Sequence, residues 1–411
     1  MTGRSIVVVD PFSAGGAIAP AFARRGVSAI AVLTTERPLA GLTSTWNPYD
    51  FREIHVLHDL DELAAKLAAH DPIAVVPGDE TGVEAAETLS ELIAPGRSNV
   101  LTLSSARRDK WQMAVALRTA EVPHLRQISS DSVDEVGAWI RREHLEDSPI
   151  VLKPQAGGGA NDVFVAMPGD DWRVGFDWIL GCVNKRNVRD DKVLVRELAV
   201  GTEYEVDTYS IDGKHELVAV WRYAKGRRGD RFGIYLSNTL VAPGEPVVGA
   251  LFEYVCRVLD ATGVRNGPAH VEVMTTPDGP RLIEVGARLA GAEQQELTLL
   301  GTGESQITRM VRHRVDGETA GRYERRQHVK AVYLSSPAAG ELGNSVRFDE
   351  LASLLPSYRS DALAYREGSR VPRTDDLGTS LGSVVLATTD PRQLERDVAV
   401  VREIEAGLIV V

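Results

Sequence analysis

Along the first ~105 residues, short apolar runs alternate with stretches of helical spacing. IVVVD (6–10) and SAIAVLT (28–34) read as strands, with GGAIAPAFARRG between them as a helix that stops at Gly26. DELAAKLAAH (61–70) predicts a second helix, IAVVP (73–77) a further strand and TGVEAAETLSELI (81–93) a further helix. Strands separated by helices of this length form βαβ units, so an open α/β domain with a parallel sheet is expected over residues 1–105. The PFSAGGA turn after the first strand lacks a full GxGxxG, which speaks against a dinucleotide-dependent oxidoreductase.

From about residue 106 the pattern changes. RRDKWQMAVALRTAE predicts a helix, PHLRQIS a short run and SVDEVGAWIRREH another helix. PIVLKPQAGGGANDVFVAM reads as two strands flanking a glycine-rich connection. VLVRELAVGTEYEVDTYSI turns at Asp212-Gly213, a strong hairpin signal, into HELVAVWRY. Residues 225–246 read as a loop, GALFEYVCRVLDATG as a helix and PAHVEVMTTPDGPRLIEVGAR as a second hairpin. Beyond ~305, HVKAVYLSS and SVVLATT predict strands.

The 411 residues suit two to four domains with sizeable cores, at about 100–200 residues each. No stretch approaches the ~20 apolar residues of a membrane helix. The N-terminal apolar run, cut off by Asp10, reads as a strand and not a signal peptide. A net charge of −12 speaks against duplex nucleic acid as the main partner, and an anionic nucleotide would need its cations gathered locally. Cys182 and Cys256 lack disulfide or metal-ligand spacing and read as buried small hydrophobes in a reduced cytoplasm. Eight lysines leave 38 arginines among the 46 basic residues, so a lysine inside a motif is informative.

The second hairpin carries the sharpest chemical signal. Its TPDGP turn, centred near Asp278, should put Glu272 opposite Glu284 on one sheet face, about 4.5–5.5 Å apart at Cβ. Val271, Val273, Ile283 and Val285 imply that the other face is buried. Opposed carboxylates repel unless a cation lies between them or one is protonated. Two carboxylates plus phosphate oxygens suit Mg²⁺, while the plain alternative is a solvated face with an arginine nearby. Arg288, four residues past Glu284, could neutralise charge developing on a transferred group. Lys153 ahead of Gly157, Gly158 and Gly159 suits a phosphate lid, although a plain hairpin loop reads the same way. Glu203, Glu205 and Asp207 share one strand face, either a wet acidic face or a site wall.

Together these features resemble the ATP-grasp superfamily over roughly residues 106–300. GDETGVEAAETL (78–89), DKWQM, the PAHVEV strand and IEVGARLAG are most similar to the amino-acid ligases that join two unprotected L-amino acids. VDPFSAGGAIAPAFARRG and VYLSSPAAGEL extend the resemblance over most of the chain. It implies an ATP-grasp fold of mixed α/β, multi-domain class. A Rossmann-like N-terminal domain (1–105) would precede a lid (106–195), a catalytic subdomain (196–305) and an accessory subdomain (306–411).

The resemblance also implies roles. Lys110 and Lys153 would bind phosphates, Glu197 through Leu198 to Val200 would read adenine, and Glu203 would hold ribose. Glu272 and Glu284 would bind Mg²⁺ or Mn²⁺, Arg288 would stabilise the tetrahedral intermediate, and Lys225 would reach the γ-phosphate. His270, Trp221, Tyr223 and Gly291 are candidates for substrate contact. Gly286 stands where many members carry a third metal ligand, Asn, and the phosphate loop from Gln155 to Asp162 lacks the usual serines. The implied activity is ATP-dependent ligation of a carboxylate to an amine through an acyl phosphate. The substrates would be amino acids or small acids in the cytoplasm, with no nucleic-acid or membrane partner and a homodimer as in relatives. Ring closure in a natural-product precursor is the alternative within enzymes, and a non-catalytic nucleotide-binding protein the alternative outside them.

Overall fold

The computed structural model describes residues 4–38, 40–155, 163–182, 189, 191–228, 231–291, 293–319 and 321–411. The N-terminal segment runs β1 (Ser5–Val9), α1 (Ile18–Ala23), β2 (Ser28–Leu33), α2 (Ala40–Thr43), β3 (Phe51–Val56), α3 (Leu60–Ala68), β4 (Pro72–Pro77) and α4 (Val83–Ile93). Its four strands are parallel in the order β3-β2-β1-β4, as the alternation predicts. Strand β3, whose FREIHV alternates, and its pairing with β2 go beyond the sequence reading. Gly15 earns its place by close approach, since a Cβ there would sit 2.4 Å from Gly78 Cα. The glycines of PFSAGGA thus let the turn after β1 press on the end of β4.

The next segment contains α5 (Lys110–Thr119), β5 (Gln127–Ser130), α6 (Val133–Arg142), β6 (Ile150–Pro154), β7 (Phe164–Ala166), α7 (Trp172–Ile179) and β8 (Val193–Glu197). Asp109 caps α5 by accepting from Trp111 and Gln112 N–H, and Ser132 caps α6 by accepting from Glu135 N–H. The strands pair antiparallel in the order β5-β8-β6-β7. Ile150, Leu152, Val193 and Val195 pack against α6 and α7, so Lys153 and Arg196 lie on the opposite face.

The largest sheet is built from β9 (Thr202–Ile211), β10 (Lys214–Arg228), β11 (Arg231–Leu240), then after α8 (Pro246–Ala261) from β12 (Gly267–Thr276) and β13 (Gly279–Gly286). Past α9 (Gln294–Thr302) and α10 (Gln306–Val311) the chain adds β14 (His328–Leu334), β15 (Gly340–Gly343), α11 (Leu351–Leu354), β16 (Tyr358–Leu363), β17 (Arg370–Val371), β18 (Gly382–Thr388), α12 (Pro391–Ala406) and β19 (Ile409–Val410). Eight strands form one sheet, β13-β12-β9-β10-β11-β14-β18-β16, so the C-terminal segment continues the sheet. The region read as a loop at 225–246 is a correction: β10 extends to Arg228 and pairs with β11. Two bulges in that pairing and a composition rich in Gly and Arg hide the strand period.

Helices α5 and α8 cover one face of this sheet, burying Val271, Val273 and Val285 with Met113, Leu117, Leu251 and Val255. The other face is part core and part polar: Trp221 packs with Leu297 of α9 and Tyr209 with Met310 of α10, while Glu203, Glu205 and Asp207 share that face. Cys182 corrects a second expectation: it is exposed just past α7, its thiol donating to Trp178 O at 2.6 Å, and Cys256 is half-buried on α8.

The N-terminal domain is tied to the rest by an ion pair. Arg107 and Glu87, both buried, form a bidentate contact with Nε–Oε1 at 2.8 Å and Nη2–Oε2 at 2.5 Å, while Arg107 Nη1 donates to Thr262 O at 2.6 Å. Glu87→Gln strands a buried guanidinium charge, so a loss of about 3–5 kcal/mol is expected in urea unfolding. A loss under about 1 kcal/mol would mean that the pair is screened like a surface one.

Candidate active site

Where Glu272 and Glu284 meet is decided by one extra residue. The tight turn pairs Thr276 with Gly279 and Val273 with Leu282, a register that would put Ile283 opposite Glu272. A bulge between Val273 and Glu272 restores Glu272 opposite Glu284 and Val271 opposite Val285. Ile283, expected on the buried face, instead lines a cavity of about 890 Å³ together with both glutamates. Each carboxylate has its own cation: Lys110 Nζ is 3.2 Å from Glu284 Oε1, and His270 Nε2 is 3.7 Å from Glu272 Oε1. Burial opposes charge on Glu272, but the hydrogen bond to His270 and the charges of Lys225, His270 and Arg288 hold its carboxyl at about 2.

Lys153 on β6 and Arg196 on β8 reach the same cavity from the smaller antiparallel sheet. Burial, then the neighbouring charges of Arg196 and Lys110, push the Lys153 ammonium well below the usual lysine range. Arg196 is also pushed down, mainly by burial, and its Nε has no hydrogen-bond partner among the described residues. Three crowded cations with an orphaned donor fit an anion with several oxygens, such as a polyphosphate. Gln155 braces this end: its Nε2 donates to Asp109 Oδ2 at 2.6 Å and its carbonyl accepts from Lys110 N–H. Sequence reasoning missed Arg196, whose signal is a charge among VLV on a strand. Gly157, Gly158 and Gly159 lie outside the described residues.

Acidic groups stand beside these cations, Glu203 being the carboxylate that acts most on Arg196. Glu203 holds Lys225 at 2.7 Å, and Lys225 Nζ stands 4.3 Å from the Tyr235 ring centroid. Lys225 therefore sits with the carboxylate expected to hold ribose, and burial raises that carboxyl despite the lysine. Glu205 and Asp207 follow on β9, each 1% exposed, so they form a buried acidic wall behind the His270 ring, neither a wet face nor part of the cavity lining. Tyr223 OH donates to Glu205 at 2.5 Å, and His270 Nδ1 is 3.3 Å from Asp207 Oδ1.

Other expected contacts fall elsewhere. Trp221 is fully buried in the core and donates from Nε1 to Thr298 Oγ1 at 3.2 Å, because α9 packs over it. Tyr223 stacks edge-on behind Tyr235 and does not line the cavity. Gly291 lies beside Ser13 and is likewise not among the lining residues. In the hinge, Leu198 and Ala199 form the wall, whereas Val200 is 65% exposed and Glu197 turns away to Arg126 at 2.6 Å.

Arg288 lines the cavity and pairs through Nε with Glu80 Oε2 at 2.9 Å, which brings the GDETGV segment to the site. Burial would lower the Arg288 guanidinium, but Glu80 leads the carboxylates that raise it. A Cβ on Gly286 would stand 3.2 Å from Glu80 Oε2 and 3.5 Å from Arg288 Cζ. The Glu80–Arg288 pair thus occupies the space an asparagine side chain would need.

With this geometry in place, comparison with known proteins is direct. Residues 146–296 match the family described as the ATP-grasp domain. Dapdiamide A synthase of Enterobacter agglomerans is 28% identical over 411 residues, covering 98% of this chain and 96% of that protein. The crystal structure of an L-amino acid ligase from Bacillus licheniformis superposes with a TM-score of 0.73 at 16% identity, over 99% of this chain and 98% of that one. A carboxyaminoimidazole ribonucleotide synthase from Aspergillus clavatus, complexed with ATP, gives 0.70 at 15% identity, over 98% and 99%. Among the described residues, no helix is long and apolar enough to cross a membrane.

The acidic wall makes stability depend on pH. Burial and the charge of Glu205 raise the Asp207 carboxyl from 3.8 to about 7. A raised carboxyl stabilises the fold fully below its ordinary value, and that contribution is lost as pH rises through about 7. Asp207→Asn removes the titration, so wild-type melting temperature should fall relative to the variant between pH 4 and pH 8. Parallel curves would contradict the burial of this carboxylate.

Proposed function

We propose that this chain, an ATP-dependent ligase built on an ATP-grasp domain, joins the carboxylate of one amino acid or small acid to the amine of another. One observation carries the reading: Glu272 and Glu284 face each other in the same cavity as Lys110, Lys153 and Arg196. The three cations would hold the phosphate oxygens. Two opposed carboxylates suit a divalent ion, Mg²⁺ or Mn²⁺, and when bound it would neutralise phosphate charge during transfer. Leu198 and Ala199 would flank adenine, with Val200 and Glu197 shaping the turn from behind. Ribose hydroxyls would take Glu203, freeing Lys225 for the triphosphate.

The acid's carboxylate oxygen attacks the γ-phosphorus, the bond to the bridging oxygen breaks, and ADP leaves. The amine then attacks the acyl carbon of the acyl phosphate, the carbon–oxygen bond breaks, phosphate departs and the nitrogen loses a proton. Arg288 would face the oxyanion of the second step, oriented by Glu80. The lid, including Gly157 to Gly159, would keep water from the acyl phosphate. Ring closure within one precursor uses the same chemistry. We place the enzyme in the cytoplasm, acting on small molecules as a homodimer.

The acyl phosphate leaves an isotopic mark. With an acid labelled by ¹⁸O in its carboxylate, one ¹⁸O should appear in the released phosphate, read by mass spectrometry alongside an amide product and ADP. Unlabelled phosphate with amide formed would show that the carboxylate is not phosphorylated.

A further inference from the structure

A tyrosine that belongs to no motif, Tyr235 on β11, lines the cavity together with Lys225, Glu203 and Glu272. A bulge puts it there. The pairing of β10 with β11 sets Ala224 opposite Ser237, a register that would place Leu236 opposite Lys225 and Tyr235 opposite Gly226. Leu236 is instead the extra residue, so Tyr235 stands opposite Lys225 and shares its side of the sheet. A one-residue slip turns each side chain to the other face, so without the bulge this ring would point away from the cavity.

The ring is then held in place by its neighbours. Tyr223 and Tyr333 pack edge-on against it with centroids at 5.3 Å and 5.9 Å, and Lys225 Nζ stands 4.3 Å from its centroid. Tyr223 is itself anchored, since its OH donates to Glu205 Oε2 at 2.5 Å. Among the described residues the phenol hydrogen of Tyr235 has no acceptor, because its polar neighbour Lys225 is a donor as well. Burial, then the Glu272 carboxylate, push the phenol above its ordinary range, so the hydroxyl keeps its proton at neutral pH.

An O–H facing a cavity without an acceptor calls for an oxygen of the ligand. Glu203, Glu272 and Glu284 each already face a cation, respectively Lys225, His270 and Lys110. We propose that Tyr235 is a further contact to the nucleotide, its phenol donating to an oxygen of the γ-phosphate and so telling a triphosphate from a diphosphate. This inference rests on the ligase reading above, which puts the terminal phosphates against Glu272 and Glu284 and within reach of Lys225. A neutral donor suits the place. Lys110, Lys153 and Arg196 supply the positive charge, and the phenol adds direction, fixing how the γ-phosphoryl group faces the attacking carboxylate oxygen.

Calorimetry with ADP and with a non-hydrolysable ATP analogue, imido-bridged between its β and γ phosphorus, isolates this contact when both are measured with Mg²⁺. Tyr235→Phe removes the hydroxyl and keeps the ring and its packing. The variant should bind the triphosphate analogue ~10-fold or more weakly than wild type, the scale of a hydrogen bond to a charged group, with ADP affinity kept within about twofold. An equal loss for both nucleotides would show that the ring only supports the wall, and would overturn the contact. Unchanged affinity for both would overturn it too, and a raised KM for the acid alone would then place the phenol on the acid. Each of these results leaves the ligase reading intact. Failure of wild type to bind either nucleotide would overturn the ligase reading and the contact with it.

Discussion

The site depends on the bulge that sets Glu272 opposite Glu284. Without Ile283 as the extra residue, Glu284 would fall out of step and the two carboxylates could not share a face. The strands keep that register because Val271, Val273 and Val285 are locked into the core under α5 and α8. Two carboxylates are thereby held together by apolar burial on the reverse side, against their own repulsion. Lys110 and His270 offset that repulsion, one from helix α5 and one from the same strand.

Around this pair the cavity gathers charges of both signs. Lys110, Lys153 and Arg196 line it together with Glu203 and Lys225, while Glu205 and Asp207 lie behind the His270 ring. An acidic protein with few lysines concentrates three of them in one cavity. Lys153 and Arg196 come from the β5–β8 sheet, Lys110 from α5 and the glutamates from the large sheet, so the cavity exists only where these elements converge.

Much of this was legible in the chain, and the failures have physical causes. The alternation before residue 105 announces the parallel sheet because its central strands β1 and β2 are buried on both faces and read as unbroken apolar runs. The Glu272–Glu284 pairing follows from a turn centred on Asp278, but the tight turn itself sets Ile283 opposite Glu272, and the bulge that restores the pair leaves no period to read. Residues 225–246 looked like a loop because their strand is completed by pairing to a distant partner, β14, through β11. Trp221 looked like a pocket residue, and only the packing of α9 shows that it is core. Arg196 and Glu80 were missed as site residues because their roles arise where separate segments converge.

Electron paramagnetic resonance of Mn²⁺ with ATP tests the central claim most directly, because it reports the metal's surroundings without requiring turnover. Wild type should shift the Mn²⁺–ATP spectrum to that of a protein-bound ion. Glu272→Gln and Glu284→Gln, still folded, should each give the spectrum of Mn²⁺–ATP free of protein ligands. An unchanged bound-ion spectrum in both variants would contradict the account, showing that the opposed carboxylates do not hold the metal.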